Sequence, residues 1–381
     1  MKKALLALSF GTLALGVAEF VMMAILPFVT ADLGVSIPAG GNLITAYALG
    51  VCLGSPAIVL LRHQPLKRLL LCMMLVCLAG NMCATFAPGY WTLIGARFLS
   101  GLPHGAYFGV ASIVAIKVAP EGKSASAVAA MVAGMTVANL AGVPLGTFVS
   151  HALTWRVAFG FVALCALLVA FLIWKWVPDV GSLPKSTFRS QFRFLKSLAP
   201  WLILMATMFG NGGIFAWYSY INPMLTTISG FPERMVSPLM ILAGLGMVLG
   251  NAVSGPLCDK FRPGRMDSLM QLFASLCMLS FFFWAECQWL VFLLLPVTTA
   301  TLFAISSPQQ TLIVKFAPGG ELLGGACIQM AFNLGNAVGA QAGAVPLRLG
   351  LDYHYPALVG ACVTVLGCVS MYLFSRRYER G

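Results

Sequence analysis

Apolar runs of roughly twenty residues recur along this whole chain, and charged residues fall almost wholly in the short gaps between them. That pattern leaves few folds open. A helix crossing a bilayer consumes about 20 residues, so twelve would use about 240 of the 381 available. Only 9% of the residues are charged, against about 25% in a soluble domain whose surface must face water. A soluble enzyme, a nucleic-acid binder and a disordered scaffold are all excluded at this step. An all-α integral membrane protein is expected.

Charge, proline and glycine mark the breaks. The expected spans are 4–28, 41–61, 69–87, 91–116, 124–148, 157–177, 199–221, 234–257, 268–285, 289–313, 321–345 and 355–375. The first follows Lys2 and Lys3 but runs past signal-peptide length and lacks a small-x-small cleavage site, so it reads as a retained helix. The net charge of +12 forms no continuous basic stripe, and no nucleic-acid partner is expected. The 11 cysteines include no CxxC pair and sit mostly inside apolar runs. They read as free thiols rather than as a metal or disulfide framework.

An even number of spans puts both ends on one side. On the opposite side the loops hold only Arg156, Arg234 and Arg348, and Arg97 lies inside a span; the other basic residues fall on the side of the termini. The positive-inside bias therefore puts both termini in the cytoplasm of a multi-pass protein of the bacterial inner membrane. Residues 1–177 form an N-terminal six-helix bundle, 178–198 a cytoplasmic linker and 199–381 a C-terminal six-helix bundle. Within the linker Lys185, Arg189, Arg193 and Lys196 fit one face of an α-helix, with Phe188, Phe192 and Leu195 beside them. Such a segment can lie on anionic headgroups, or it can be a plain tether.

The two halves echo each other at an offset near 196. Gly50 and Gly54 in span two match Gly246 and Gly250 in span eight, and Ala119-Pro120-Glu121-Gly122 is echoed by Ala317-Pro318-Gly319-Gly320. Because six is even, a duplicated bundle enters the membrane twice in the same orientation. Glycines at four- and eight-residue spacing, Gly134, Gly142 and Gly146 on span five and Gly335, Gly339 and Gly343 on span eleven, let a second helix approach closely. Pro144 removes a backbone hydrogen bond there. Close packing alone accounts for these glycines; a rocking surface is the functional alternative. No GxxxxGK[ST] nucleotide loop is present, so a gradient must supply any energy.

Leu15-Gly16-Val17-Ala18-Glu19-Phe20, Arg97 through Gly109, Gly134 through Gly146 and Phe332-Asn333-Leu334-Gly335 together resemble the major facilitator superfamily. More narrowly they are similar to its arabinose-inducible AraJ-type members, near the sugar-efflux and drug–proton antiporter groups. The resemblance implies two pseudo-symmetric six-helix bundles, efflux by alternating access, and a transmembrane proton gradient with no cofactor. It implies that Arg97 serves proton coupling and that Gly134 to Gly146, with Pro144-Leu145-Gly146, is the antiporter motif of span five. Gly255-Pro256-Leu257-Cys258-Asp259-Lys260 with Gly264-Arg265 resembles the cytoplasmic gating loop. The first half has no acid at the matching place, Ile58 to Gln64. A sugar or arabinose-derived compound is the implied substrate class, handled by a monomer.

Ionisable groups inside spans need a partner or water. Glu19 lies about 22 Å along span one, and Arg97 roughly 9–10 Å below the outer face on span four, so the two reach similar depth. They can form an ion pair or share a polar network. Glu19 is then a proton carrier, half of a permanent lock, or a substrate ligand. His104, two turns beyond Arg97, can relay a proton, rest on a carbonyl, or meet a sugar hydroxyl. Amides and aromatics offer a cavity for a neutral polyhydroxylated molecule: Tyr47, Asn139, Asn211, Trp217, Tyr218, Gln309, Gln310, Asn333 and Asn336. The same residue types also glue helices together, and Trp217 and Tyr218 suit an interfacial belt. Uptake or uniport of a sugar, broad drug export, and a non-transporting sensor or scaffold are the rival readings. No catalytic or metal-ligating constellation is present.

Overall fold

The computed structural model describes residues 2–35, 37–142, 153–183, 187 and 189–379. Pro144, Gly146, Lys185 and Phe188 lie outside the described residues. Among those described there is no strand; the chain is helical. The helices are α1 (Lys2–Leu33), α2 (Ile37–Ala57), α3 (Leu66–Thr85), α4 (Tyr90–Val118), α5 (Ser124–Val137) and α6 (Trp155–Trp176) in the first half. The second half holds α7 (Leu198–Tyr218), α8 (Glu233–Lys260), α9 (Pro263–Trp284), α10 (Gln288–Ala304, then Ser306–Lys315 after a break at Ile305), α11 (Glu321–Arg348) and α12 (Tyr355–Tyr378).

Eleven helical stretches among the described residues are long and apolar enough to cross a membrane. The stretch missing from that set is α11, which is long enough at 28 residues. It carries Gln329, Asn333, Asn336 and Gln341 among glycines and alanines, so length rather than apolarity marks it. Leu53, Leu164 and Leu249 are each more than half exposed. Outward-facing leucines on apolar helices suit lipid, where exposure costs nothing.

Two compact units divide the chain. The first contains residues 1–120, 130–194 and 317–330; the second contains 121–129, 195–316 and 331–381. One division falls between residues 194 and 195, and α5 and α11 are each divided between the units. In the first unit α2 packs along α4, α3 against α4 and α6, and α1 against α6. In the second, α8 packs along α10 and α12 against α7 and α9.

Glycine explains the closeness of the repeated pairs. A Cβ at Gly50 or Gly54 would run into the carbonyls of Phe98 or Leu102 on α4. Its counterparts at Gly246 and Gly250 would meet those of Pro296 and Ala300 on α10. The sequence echo is therefore a structural one: α2 lies on α4 as α8 lies on α10. The four-residue glycine series repeats likewise. Gly134 faces the Ser9 carbonyl of α1, and Gly335, Gly339 and Gly343 face Met208, Gly212 and Ala216 of α7. Gly142, in a π-helical turn at Ala138–Gly142, rests against Val17 of α1 at ordinary contact distance.

Two expectations need correction. The first helix runs to Leu33, five residues past the expected end at 28, which moves Glu19 toward its middle. The described linker is not α-helical: Arg189–Lys196 is a 3-10 helix. With three residues per turn, Gln191 and Phe194 eclipse on one side, and both are buried. The Gln191 side-chain amide donates to the Gly319 carbonyl at 2.7 Å, so this turn is pinned to the chain just before α11.

Candidate functional site

Lengthening α1 changes which group of α4 lies opposite Glu19. Glu19 precedes the end of α1 by 14 residues and His104 follows the start of α4 by 14, about 21 Å in each case. The two helices run in opposite directions, so equal counts from the same end mean equal depth. Glu19 Oε2 lies 3.8 Å from His104 Nε2, and neither atom has a hydrogen-bond partner. His104 is fully buried and Glu19 nearly so.

The other face of the histidine is fixed. His104 Nδ1 and Tyr47 Oη are 2.8 Å apart, and the tyrosine hydroxyl also reaches the Leu15 carbonyl at 3.2 Å. Phe108 stacks on the imidazole with centroids 5.3 Å apart. Ring orientation is thereby set from two sides, leaving Nε2 pointed at the carboxylate. Tyr47 thus positions His104, and its 2% exposure does not make it a wall of an open cavity.

Arg97 does not pair with Glu19. Among the described residues the ion pairs within 4 Å are Glu19–His104, Asp32–Arg156 and Asp352–His354. Arg97 Nη1 instead donates to the Ala18 carbonyl at 2.7 Å and Nε to the Leu43 carbonyl at 3.4 Å. Its guanidinium lies over the Tyr47 ring, 4.4 Å from the centroid, with Phe159 at 5.7 Å. A buried cation is thus held by carbonyl dipoles and a π face, which its planar fork suits. Of the two arrangements expected, the direct ion pair is not formed, because Arg97 lies nearer the outer end than Glu19; Arg97 reaches this group through the Tyr47 ring.

The remaining candidates are dispersed. Asn139 donates to the Met135 carbonyl, and Asn211, fully buried, to that of Thr207. Trp217 is 1% exposed and packs on Phe281 of α9 with centroids 4.7 Å apart. It is core of the second unit rather than an interfacial anchor. Tyr218 adjoins Phe215. Asn333 and Asn336 are half-buried on α11 and Gln310 is buried on α10. Gln309 is engaged elsewhere: with Gln271 it donates into Asp267 on α9.

That acid escaped sequence reasoning because span nine was begun at residue 268. The helix starts earlier, at Pro263, in the first-turn position that proline favours. The signal was Asp267 and Gln271 four apart, a pair on one helix face.

The end of α8 and the loop after it, which resemble a gate in sequence, are tied to neighbouring helices by hydrogen bonds. Asp259, at the end of α8, accepts hydrogen bonds from the backbone N–H groups of Ala125 at 2.8 Å and Ser126 at 3.0 Å. These are orphan donors in the first turn of α5, where a carboxylate is favoured. Gly255 lies against Ser126 and Ala129, and the Asn251 amide donates to the Ala129 carbonyl. Arg265 is exposed and takes no part in an ion pair, whereas Gly264 N–H donates to Glu379 at 2.8 Å.

Comparison with known proteins agrees with this architecture. AraJ of Escherichia coli (strain K12) is 45% identical over 381 residues, covering 100% of this chain and 96% of its own. The inner membrane transport protein YdhP of the same organism is 34% identical over 374 residues, 98% of this chain and 96% of its own. The crystal structure of the transporter FucP in the outward conformation matches with a TM-score of 0.80 at 17% identity, covering 98% of this chain and 99% of that one. Residues 8–340 match the family described as Major Facilitator Superfamily. Its members are membrane transporters of small molecules, not enzymes. With that match and relatives aligned end to end, the chain belongs to the Major Facilitator Superfamily.

Proposed function

We propose that this protein is a proton-coupled exporter of a small polar molecule, such as a sugar or an arabinose-derived compound, working by alternating access in the inner membrane. The observation that carries the coupling is the Glu19–His104 contact: two ionisable groups at one depth with facing, unpartnered atoms. A carboxylate and an imidazole so placed can share or exchange one proton. Arg97 donates to the Ala18 carbonyl instead, so no direct ion pair clamps the carboxylate. A static lock would need that ion pair.

Twelve spans with both termini in the cytoplasm follow from the basic residues and from counting α11 as a span. The inner-membrane placement is supported by the printed name of YdhP. The half-buried amides of Asn333 and Asn336 suit a polyhydroxylated cargo. Alternating access, which duplicated bundles support, and a monomeric state belong to the same proposal.

Purified protein in liposomes with an imposed pH gradient tests the reading. Sugar accumulation that requires the gradient, collapses with a proton ionophore and is lost in Glu19→Gln is the expected result. Flux indifferent to the gradient would point to uniport, and cotransport down the gradient to uptake.

A further inference from the structure

Asp267 lies in the first turns of α9 and is fully buried, yet among the described residues neither lysine, arginine nor histidine comes within 4 Å of it. Gln271 Nε2 donates to Oδ2 at 2.8 Å, and Gln309 Nε2 reaches Oδ1 and Oδ2 at 3.2 and 3.3 Å. Both glutamines are buried, and the Oε1 atom of each has no partner. Space for the Gln271 amide is reserved by two glycines. A Cβ at Gly210 of α7 or Gly367 of α12 would collide with its Oε1.

The helices packed on α9 are α7, α8, α10 and α12. Apart from Tyr218 at its far end, α7 has no ionisable side chain, and α10 offers only Lys315, which is exposed. From α8 come the buried Cys258 thiol and Asp259, which is engaged with α5, with Lys260 beyond them. Past α12 lies Glu379, a further negative charge, already bonded to Gly264 and Ser375. Arg376 and Arg377 near the end of α12 are exposed. Among the described residues none neutralises Asp267 directly.

We propose that Asp267, cradled by Gln271 and Gln309, is a second proton-binding site, carried by the second unit and separate from Glu19. The two amides serve both forms of the carboxyl. When it is charged, each presents an NH2 donor. When a proton from water binds, the new O–H needs an acceptor. Turning the Gln309 amide over brings its unpartnered oxygen to that hydrogen. Gln309 is the one that turns, because its bonds are long and shared between two oxygens, while Gln271 is wedged between glycines.

The test is an infrared difference titration of the full-length protein in lipid nanodiscs, following the carbonyl stretch of protonated carboxyl groups between about pH 5 and about pH 9. Two titrating components are expected. Glu19→Gln removes one and Asp267→Asn the other. A component that survives Glu19→Gln and vanishes in folded Asp267→Asn supports the site even if the Glu19 reading fails. Gln309→Met removes the partner of both forms, so the carbonyl stretch of the protonated Asp267 component should move to higher frequency as its hydrogen bond is lost. A spectrum unchanged by Asp267→Asn overturns the proposal. If that variant does not fold, a carbonyl band that survives Glu19→Gln and is indifferent to Gln309→Met overturns it instead.

Discussion

At the scale of residues, Asp32 shows how a partner tunes an acid outside the spans. The Arg156 guanidinium, 2.6 Å away, and then the Trp155 indole, at 3.0 Å, hold its carboxyl below the usual aspartate range. The folded state thus favours the charged form more than the unfolded chain does. Its stabilising contribution is complete above the ordinary aspartate pKa and disappears as pH falls through the lowered folded value. The pair is largely solvent-exposed, so Asp32→Asn should cost under about 1 kcal/mol. The cost should be visible near neutrality and absent in acid, as read from melting curves at the two conditions. Glu19→Gln should act differently. Because the carboxylate oxygen facing His104 has no hydrogen bond to lose, the variant should fold while gradient-driven accumulation disappears and substrate counterflow persists. Loss of both together would reject Glu19 as the carrier. Sequence alone showed that Glu19, Arg97 and His104 share a region. It misjudged the pairing because a five-residue error in a helix end is about 7.5 Å of depth, enough to exchange one partner for another.

At the scale of elements, glycines in contact were legible because a four-residue spacing places them on one helix face whatever the tertiary context. Which helix they meet was not, since spacing does not name a neighbour. The structure answers that, and with it comes a graded expectation. Gly250→Leu forces a side chain into the Ala300 carbonyl and should destabilise by about 1–3 kcal/mol or more. Gly89→Leu, at a helix entrance with nothing near its Cβ position, should be close to neutral. Thermal unfolding in detergent ranks the two, and equal midpoints would remove the close-approach argument. Asp259 belongs to this scale too. Asp259→Asn weakens a charged cap on α5, a loss of about 0.3–1 kcal/mol. Hydrogen exchange over 125–131 should quicken while 1–20 stays unchanged. Because that cap joins α8 to the start of α5, we expect slower substrate turnover as well. The linker was misread for a related reason: basic residues at α-helical spacing said nothing of Gln191 finding a carbonyl at Gly319.

At the scale of the whole molecule, orientation rests on charge asymmetry, and the chain supplies its own reporters. Cys287 is exposed in the connection between α9 and α10, which the span count places outside. Arg193 is exposed on the 3-10 turn of the linker, which the same count places inside. Among the other native thiols, Cys72 and Cys362 are exposed on the apolar stretches of α3 and α12, where lipid withholds the water that a thiolate needs to react. Cys83 is also exposed, near the end of α3 that the same count places outside. In intact cells a charged, membrane-impermeant maleimide should therefore label the native protein, and Cys83→Ser combined with Cys287→Ser should remove most of that signal. Arg193→Cys in the Cys83→Ser, Cys287→Ser background should stay unlabelled until the membrane is permeabilised. The two sites lie on opposite sides of an odd number of spans, α7 to α9. Their accessibilities must therefore be opposite whichever way the protein is inserted. Equal labelling of both would break the span count itself. Reversed labelling would keep the count and invert the orientation, overturning the reading in which the linker's arginines are retained by the positive-inside bias.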